Sequence, residues 1–168
     1  KQSNANALNS IALGTGTNAL QEDAVAIGNS ASVTAKGASV LGKSATASHE
    51  NAVVLGNNSV SAAYVATPST TINGKIYNFA GAPTTSSSVS VGDVGSERTI
   101  VNVAAGRISS SSTDAINGSQ LHQTNQAITD LADTALSFSG DNGTKVDRKL
   151  GQQLNVKGGQ LEYLRIAT

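Results

Sequence analysis

The residues of this chain that could support acid–base or metal chemistry are two histidines and a few adjacent carboxylates. His49 lies beside Glu50 in a polar segment, and His122 lies in a segment rich in helix-forming residues. Neither histidine has a second histidine or a cysteine nearby, so no zinc site is indicated. The adjacent carboxylates Glu22 and Asp23 could act as an acid and a base only in a desolvating cleft. A solvated turn is the simpler interpretation of that pair.

Motifs for nucleotide binding or nucleophilic catalysis are also missing. The sequence has no Gly-x-Ser-x-Gly elbow, phosphate loop or dinucleotide fingerprint in a strand–helix context. Eleven basic residues balance eleven acidic ones, and no cysteine is present. Scattered, balanced charge argues against a nucleic-acid partner. We therefore predict a non-enzymatic protein without metal or cofactor.

The composition is unusual for a compact globule. Only three tyrosines and two phenylalanines supply aromatic area, and tryptophan and methionine are absent. Small aliphatic side chains must then provide the burial that offsets chain ordering, which costs about 1–2 kcal/mol per residue. No apolar run approaches the length of a membrane-spanning helix. We expect a repetitive, oligomeric fragment that does not itself insert in a membrane, with any anchor outside it.

An internal repeat of 14 residues determines the predicted fold. Four apolar stretches each end in a glycine, and the glycines follow one another without slippage: Gly14, Gly28, Gly42 and Gly56. Fourteen residues accommodate two short strands and two tight turns. Stacked units of this kind form a parallel β-roll, which we predict for residues 3–63.

The strand before each glycine is apolar on both of its faces, as a strand buried on both sides would be. We predict that the larger side chains fill the roll, namely Ile11, Leu13, Val25, Ile27, Leu41, Val53 and Leu55. The smaller face would then pack on neighbouring copies about an axis, through Ala12, Ala26, Val40 and Val54. A monomeric solenoid with a low-bulk face is the alternative.

Residues 64–92 lose the 14-residue period, and we interpret them as a small β insertion. Asn73-Gly74 separates the β-like runs Thr71-Ile72 and Lys75-Ile76-Tyr77, which predicts a two-residue hairpin turn. The alternating residues from Ser88 to Val91 are assigned to the same insertion.

A short coiled coil is predicted for residues 121–137, in a helix capped at its start by Asp114. Its seam follows a seven-residue spacing through Leu121, Thr124, Ile128, Leu131 and Ala135. Asn117 and Thr124 make the start of the seam polar. Hydrogen bonds between chains, solvation or an axial anion could satisfy these two side chains.

Residues 138–160 are predicted to form a β connector, and residues 161–168 a tail. Two short strands are expected around Gly151, at Lys145–Leu150 and at Gln153–Lys157.

These features together resemble the trimeric autotransporter adhesins of Gram-negative bacteria. The units ending in Ala-Ile-Gly or Val-Leu-Gly look like the left-handed parallel β-roll of that family's heads. Residues 93–120 are similar to its neck, and residues 138–159 to its β connectors. The resemblance implies neck roles for Arg98, Ile100, Asn102, Val103, Gly106, Asp114, Ala115, Asn117, Gln120 and Leu121.

The resemblance also implies a function. Such proteins are homotrimers exported by the type V pathway to the outer-membrane surface, where they serve cell adhesion and virulence. We expect a structural or adhesive segment that attaches to host matrix, cells or surfaces. The alternative is a stalk spacer that projects a distal head and binds no ligand.

Overall fold

A computed structural model describes residues 2–82, 87–139 and 143–155. The chain divides into two compact units. The first contains the residues up to 103 together with 107–114, and the second contains 104–106 and the residues from 115 onward. The strands of the first unit are β1 (Asn4–Ala5), β2 (Ile11–Leu13), β3 (Asn18–Ala19), β4 (Val25–Ile27), β5 (Ser32–Val33), β6 (Ser39–Leu41), β7 (Thr46–Ala47), β8 (Val53–Leu55), β9 (Ser69–Ile72), β10 (Lys75–Asn78) and β11 (Val89–Ser90).

The repeats form a parallel β-roll, which confirms the predicted fold. Each 14-residue rung contributes one strand to each of two parallel sheets. The smaller sheet has the order β1-β3-β5-β7, and the larger has the order β11-β8-β6-β4-β2. Neighbouring strands pair in a constant register, so that Ala12 lies beside Ala26, and Ala26 beside Val40. Equivalent residues of successive rungs therefore form straight columns.

Two left-handed backbone positions turn the chain in every rung. Both series repeat every 14 residues, with φ between 55° and 69°, at Asn9, Asp23, Gly37 and Asn51, and at Gly16, Ser30, Ser44 and Asn58. Glycine, asparagine and aspartate adopt this conformation more readily than other residues. The polar residues between the apolar stretches are thus the corners that close each rung.

The interior of the roll is lined by small residues, which corrects our assignment of its two faces. Ala26, Val40 and Val54 are buried inside the single chain, and Ala12 packs against the same core. The larger side chains of Ile11 and Leu13 point outward and are exposed. The two short strands of a rung leave a thin interior, and small side chains from both sheets already fill it.

The repeated glycines allow successive rungs to approach closely. A Cβ atom added to Gly28 would lie 2.4 Å from the carbonyl oxygen of Gly42, and one added to Gly42 would lie 2.2 Å from that of Gly56. A Cβ on Gly14 would likewise meet the Gly28 carbonyl at 2.8 Å. Real Cβ atoms do not come this close, so any side chain in this column would separate the rungs.

The chain leaves the roll after the fourth glycine and returns to it further along. Val89 pairs in parallel with Val53, so β11 adds a fifth strand to the larger sheet. Our assignment of Ser88–Val91 to the insertion was therefore wrong. Within the insertion, β9 and β10 form the predicted antiparallel hairpin around Asn73-Gly74. Both turn residues have positive φ, at 49° and 76°, as a type I′ turn requires.

The second unit contains the helix α1 (Gly118–Asp133) and the strands β12 (Leu136–Ser139) and β13 (Lys145–Arg148). Asn117 caps the helix, so the assignment of the cap to Asp114 was wrong. The Asn117 side chain accepts a hydrogen bond from the Gln120 backbone amide, three residues ahead. Asp114 lies six residues before Gln120, which is too far along the chain for a capping side chain. The helix ends before Ala135, which therefore lies outside the coil seam.

The connector differs from its predicted pairing. β13 lies within the expected strand Lys145–Leu150, but its antiparallel partner is β12 rather than the second expected strand at 153–157. The first two residues of β12 fall in the range predicted for the coil, and the last two fall in the range predicted for the connector. Gln153–Asn155 do not form a strand. The rest of that expected strand, the end of the connector and the tail at 161–168 lie outside the described residues.

The glycine column generates a stability prediction. Gly42→Ala should lower the free energy of unfolding by about 1–3 kcal/mol, because the added methyl group overpacks the rung contact. Gly118→Ala is the matched control, since its Cβ would meet nothing within 4 Å in the described part of the chain. Neither glycine has a positive φ, so backbone strain does not enter the comparison. A urea midpoint of the roll that is the same in Gly42→Ala as in the unaltered chain would contradict the close-stacking argument.

Candidate interaction surfaces

The outer face of the larger sheet is a mainly aliphatic surface whose side chains are exposed or half-buried in the single chain, and we call it the outward face. Its side chains stand in columns across the strands and are Ile11, Leu13, Val25, Ile27, Ser39, Leu41, Val53, Leu55 and Val89. Four of them, Ile11, Leu13, Leu41 and Leu55, are between 40% and 64% exposed. Soluble monomers rarely expose contiguous apolar patches of this kind. The outward face is therefore a candidate protein–protein interface.

The helix α1 carries a second unburied apolar stripe. It has no buried residue, and Leu121 and Ile128 are 58% and 60% exposed. Leu131 lies three residues after Ile128, on the same side of the helix. An isolated helix of this length is marginal in water. A coiled-coil contact through this stripe would supply the missing packing.

The polar start of the seam is engaged within the chain. The Thr124 hydroxyl donates to the carbonyl of Gln120 at 3.2 Å. The Asn117 side-chain oxygen accepts from the Gln120 backbone amide at 3.3 Å and from the Ser119 hydroxyl at 2.7 Å. These side chains are thus partly satisfied without any partner chain.

Arg98 covers the end of the glycine column, within the first unit. Its guanidinium carbon would lie 3.1 Å from a Cβ added to Gly56. It donates to the carbonyls of Asn57 and Val91, at 2.6 and 2.5 Å, and to the Ser59 hydroxyl at 2.8 Å. One planar side chain therefore binds the backbone of two successive rungs at the point where stacking stops.

Gln120 joins two backbone segments of the second unit. Its side chain accepts from the Gly106 amide at 2.9 Å and donates to the Gly106 carbonyl at 2.7 Å. The same side chain accepts from the Asn117 amide at 3.3 Å and so completes a capping box. This arrangement fixes the approach of the chain to the helix start.

Arg107 and Asp114 form a bidentate ion pair in the first unit. The Nε and Nη2 atoms of Arg107 lie 2.7 and 2.9 Å from the two carboxylate oxygens, and the Arg107 amide also donates to Asp114 at 3.0 Å. The guanidinium lowers the pKa of Asp114 from 3.8 to about 2. Sequence reasoning missed Arg107. The polar residues between it and Asp114 could have indicated a closed loop.

The other predicted neck residues have less defined surroundings. Ile100 and Ala115 are exposed, Val103 is half-buried, and Asn102 adopts a positive φ of 60°.

The residues that suggested chemistry lie in surface positions. His49 Nδ1 lies 2.8 Å from the Ser61 hydroxyl, and Glu22 forms a surface ion pair with Lys36 at 2.7 Å. Among the described residues, no group of histidine, cysteine, aspartate or glutamate side chains could hold a metal ion. No helix in the described ranges combines the length and apolarity needed to cross a membrane.

Comparison with known proteins agrees with this architecture. A family model for the YadA head domain repeat matches residues 2–31 and 34–59. A second model, for the coiled stalk of trimeric autotransporter adhesins, matches residues 99–144. The chain therefore belongs to the trimeric autotransporter adhesins, a family exposed at the outer-membrane surface.

Two relatives are similar over parts of the chain. The autotransporter adhesin BtaE of Brucella suis biovar 1 (strain 1330) is 65% identical over 75 residues, which are 44% of this chain and 10% of BtaE. The C-terminal YadA-like domain of BPSL2063 from Burkholderia pseudomallei is 46% identical, with a TM-score of 0.60. That match covers 66% of this chain and 52% of the Burkholderia chain. The chain thus spans a tenth of one relative and about half of the other.

The Arg107–Asp114 pair generates a pH prediction. Because the folded-state pKa of Asp114 is depressed, the pair's contribution to loop stability is present above pH 3.8 and lost as the pH falls through about 2. NMR titration of the Asp114 carboxyl group should give a midpoint near 2. In Arg107→Gln the midpoint should rise toward the ordinary value. A midpoint near 3.8 in the unaltered chain would contradict the pairing.

Proposed function

We propose that three copies of this chain assemble about a common axis, with their outward faces packed together. The outward face is the observation that carries this proposal, because it is mainly aliphatic and its side chains are exposed or half-buried in the single chain. The axis is thus lined by the larger side chains, whereas the smaller residues serve each chain's own interior. This reverses the packing expected from side-chain size.

The magnitude of the apolar burial favours assembly. Fully burying one Val, Leu or Ile side chain contributes about 1.5–3 kcal/mol. Association costs an estimated 4–15 kcal/mol in lost translational and rotational freedom. Each copy offers several such residues in two columns, so even partial burial on three copies contributes free energy on the order of the association cost. The exposed apolar stripe of α1 would be buried in the same way if the three helices formed a three-stranded coiled coil.

We propose further that the trimer is an adhesive segment at the bacterial cell surface, on the extracellular side of the outer membrane. The outer face of the smaller sheet supports this proposal. It carries the polar column Asn18, Ser32 and Thr46, whose members are aligned by strand register. A flat polar surface repeated on three copies suits attachment to host matrix or cell-surface ligands by avidity.

The assembly is tested by charge placement. Ile27→Glu should reduce the solution mass from that of three chains to that of one, because three carboxylates would face one another at the axis. Ser32→Glu, on the polar face, should leave the mass unchanged. Light scattering coupled to size exclusion measures both. An intact trimer in Ile27→Glu would refute the outward-face interface.

Ala26→Glu separates the two assignments of the strand faces. Since Ala26 is buried inside each chain, a carboxylate there should unfold the roll rather than release folded monomers. Circular dichroism distinguishes these results. A folded monomer in this variant would restore our original assignment of the small residues to the axis.

The adhesive role is tested by binding of the trimer to a panel of purified extracellular-matrix proteins. Saturable binding that falls when the Asn18–Ser32–Thr46 column is replaced by glutamates supports attachment through this segment. Absence of binding across the panel and to host cells, with the trimer intact, would instead support a spacer that projects another head.

A further inference from the structure

Two Asn-Gly dipeptides in this chain share their local sequence but differ in their structural surroundings. Asn73 and Asn117 are both preceded by isoleucine and followed by glycine. A third, Asn142-Gly143, begins with a residue outside the described part. Asn-Gly is chemically labile because glycine leaves its own amide nitrogen sterically accessible. Comparing the deamidation rates of Asn73 and Asn117 therefore measures the effect of the folded structure, because their local sequences match.

Asn73 lies in an unprotected turn. It is exposed, and within the described residues neither its side-chain amide nor the Gly74 backbone nitrogen takes part in a hydrogen bond. A Cβ added to Gly74 would meet nothing within 4 Å in the described structure. Among the described residues the hairpin sheet has two strands, and two-stranded hairpins are marginally stable and open readily.

Asn117 is held by contrast in a helix cap. Its side-chain oxygen accepts two hydrogen bonds, at 2.7 and 3.3 Å, and its backbone amide donates to Gln120 at 3.3 Å. The residue is half-buried. Bringing its side-chain carbon to the next backbone nitrogen requires a change in ψ that breaks these contacts together.

We propose that Asn73 is a site of spontaneous deamidation in the folded protein, whereas Asn117 is protected. The Gly74 nitrogen attacks Cγ of Asn73, the new N–Cγ bond forms and the Cγ–Nδ2 bond breaks. The proton from the Gly74 nitrogen accompanies the leaving group, which departs as ammonia. Water then opens the cyclic imide at either carbonyl and gives aspartate or isoaspartate. No oxidant, reductant or enzyme is needed.

The two products have different structural effects. Aspartate keeps the α-linkage, and Asp-Gly also supports a type I′ turn. Isoaspartate routes the main chain through the side chain and adds a methylene group to the two-residue turn. The register that pairs Ile72 with Lys75 cannot then be kept. Each conversion also adds one negative charge to a chain whose formal net charge is zero.

The test compares rates in one sample. The intact chain is incubated at mildly alkaline pH, digested at intervals and mapped by mass spectrometry, both folded and in concentrated urea. In urea the two Ile-Asn-Gly sites should convert at similar rates. In the folded protein the deamidation rate at Asn117 should be about 5–30-fold lower than the rate at Asn73. This factor corresponds to the free energy of a helix-cap interaction, which must be lost before Asn117 reacts.

Folding that slows Asn73 as much as Asn117 would overturn the proposal. The variant Gln120→Ala removes the capping box and should raise the rate at Asn117 while leaving Asn73 unchanged. An Asn117 rate that does not respond would contradict a contribution of the Gln120 side chain to this protection. Asn73→Asp provides the α-linked product directly, so hairpin NMR shifts seen in aged protein but not in this variant report the isoaspartate linkage.

Discussion

The close stacking of one 14-residue rung on the next is the constraint on which the rest of the structure depends. The glycine column permits it, because a Cβ at Gly28 or Gly42 would lie within 2.4 Å of the neighbouring carbonyl oxygen. Close rungs bring equivalent strands into regular parallel pairing. Residues that are 14 positions apart therefore lie side by side in columns, and each column holds residues of similar type along the roll.

The columns explain how so small a set of residue types gives a stable fold. Alanine and valine fill an interior too narrow for larger side chains, while the larger ones are displaced to the outside. The single chain is therefore complete in its own core but leaves aliphatic area in water. Trimeric assembly, as we propose, resolves this. Arg98 ends the stack with backbone hydrogen bonds where no further rung follows.

The exact period made the roll and its hairpin predictable from sequence, because glycine spacing and Asn-Gly turns are local signals. The assignment of the strand faces failed for a physical reason. Alternation shows that both faces are apolar, but only the thickness of the folded rung decides which size of side chain fits inside. The prediction of the helix cap failed for a similar reason. Aspartate and asparagine are equally good capping residues, and the contacts of Gln120 decide which of Asp114 and Asn117 caps the helix. The return of Val89 to the roll is a long-range pairing that no local pattern encodes.

The return of the chain at β11 also affects the order of folding. The first four rungs pair segments separated by a constant 14 residues, whereas Val53 and Val89 are joined across the whole insertion. The entropy of closing such a loop rises slowly with its length, so insertions of different size can be accommodated at this point. Contacts of larger sequence separation form more slowly. We therefore expect the four regular rungs to pair first and the fifth strand to be added last. The length of the hairpin can vary without changing the pairing of the rungs.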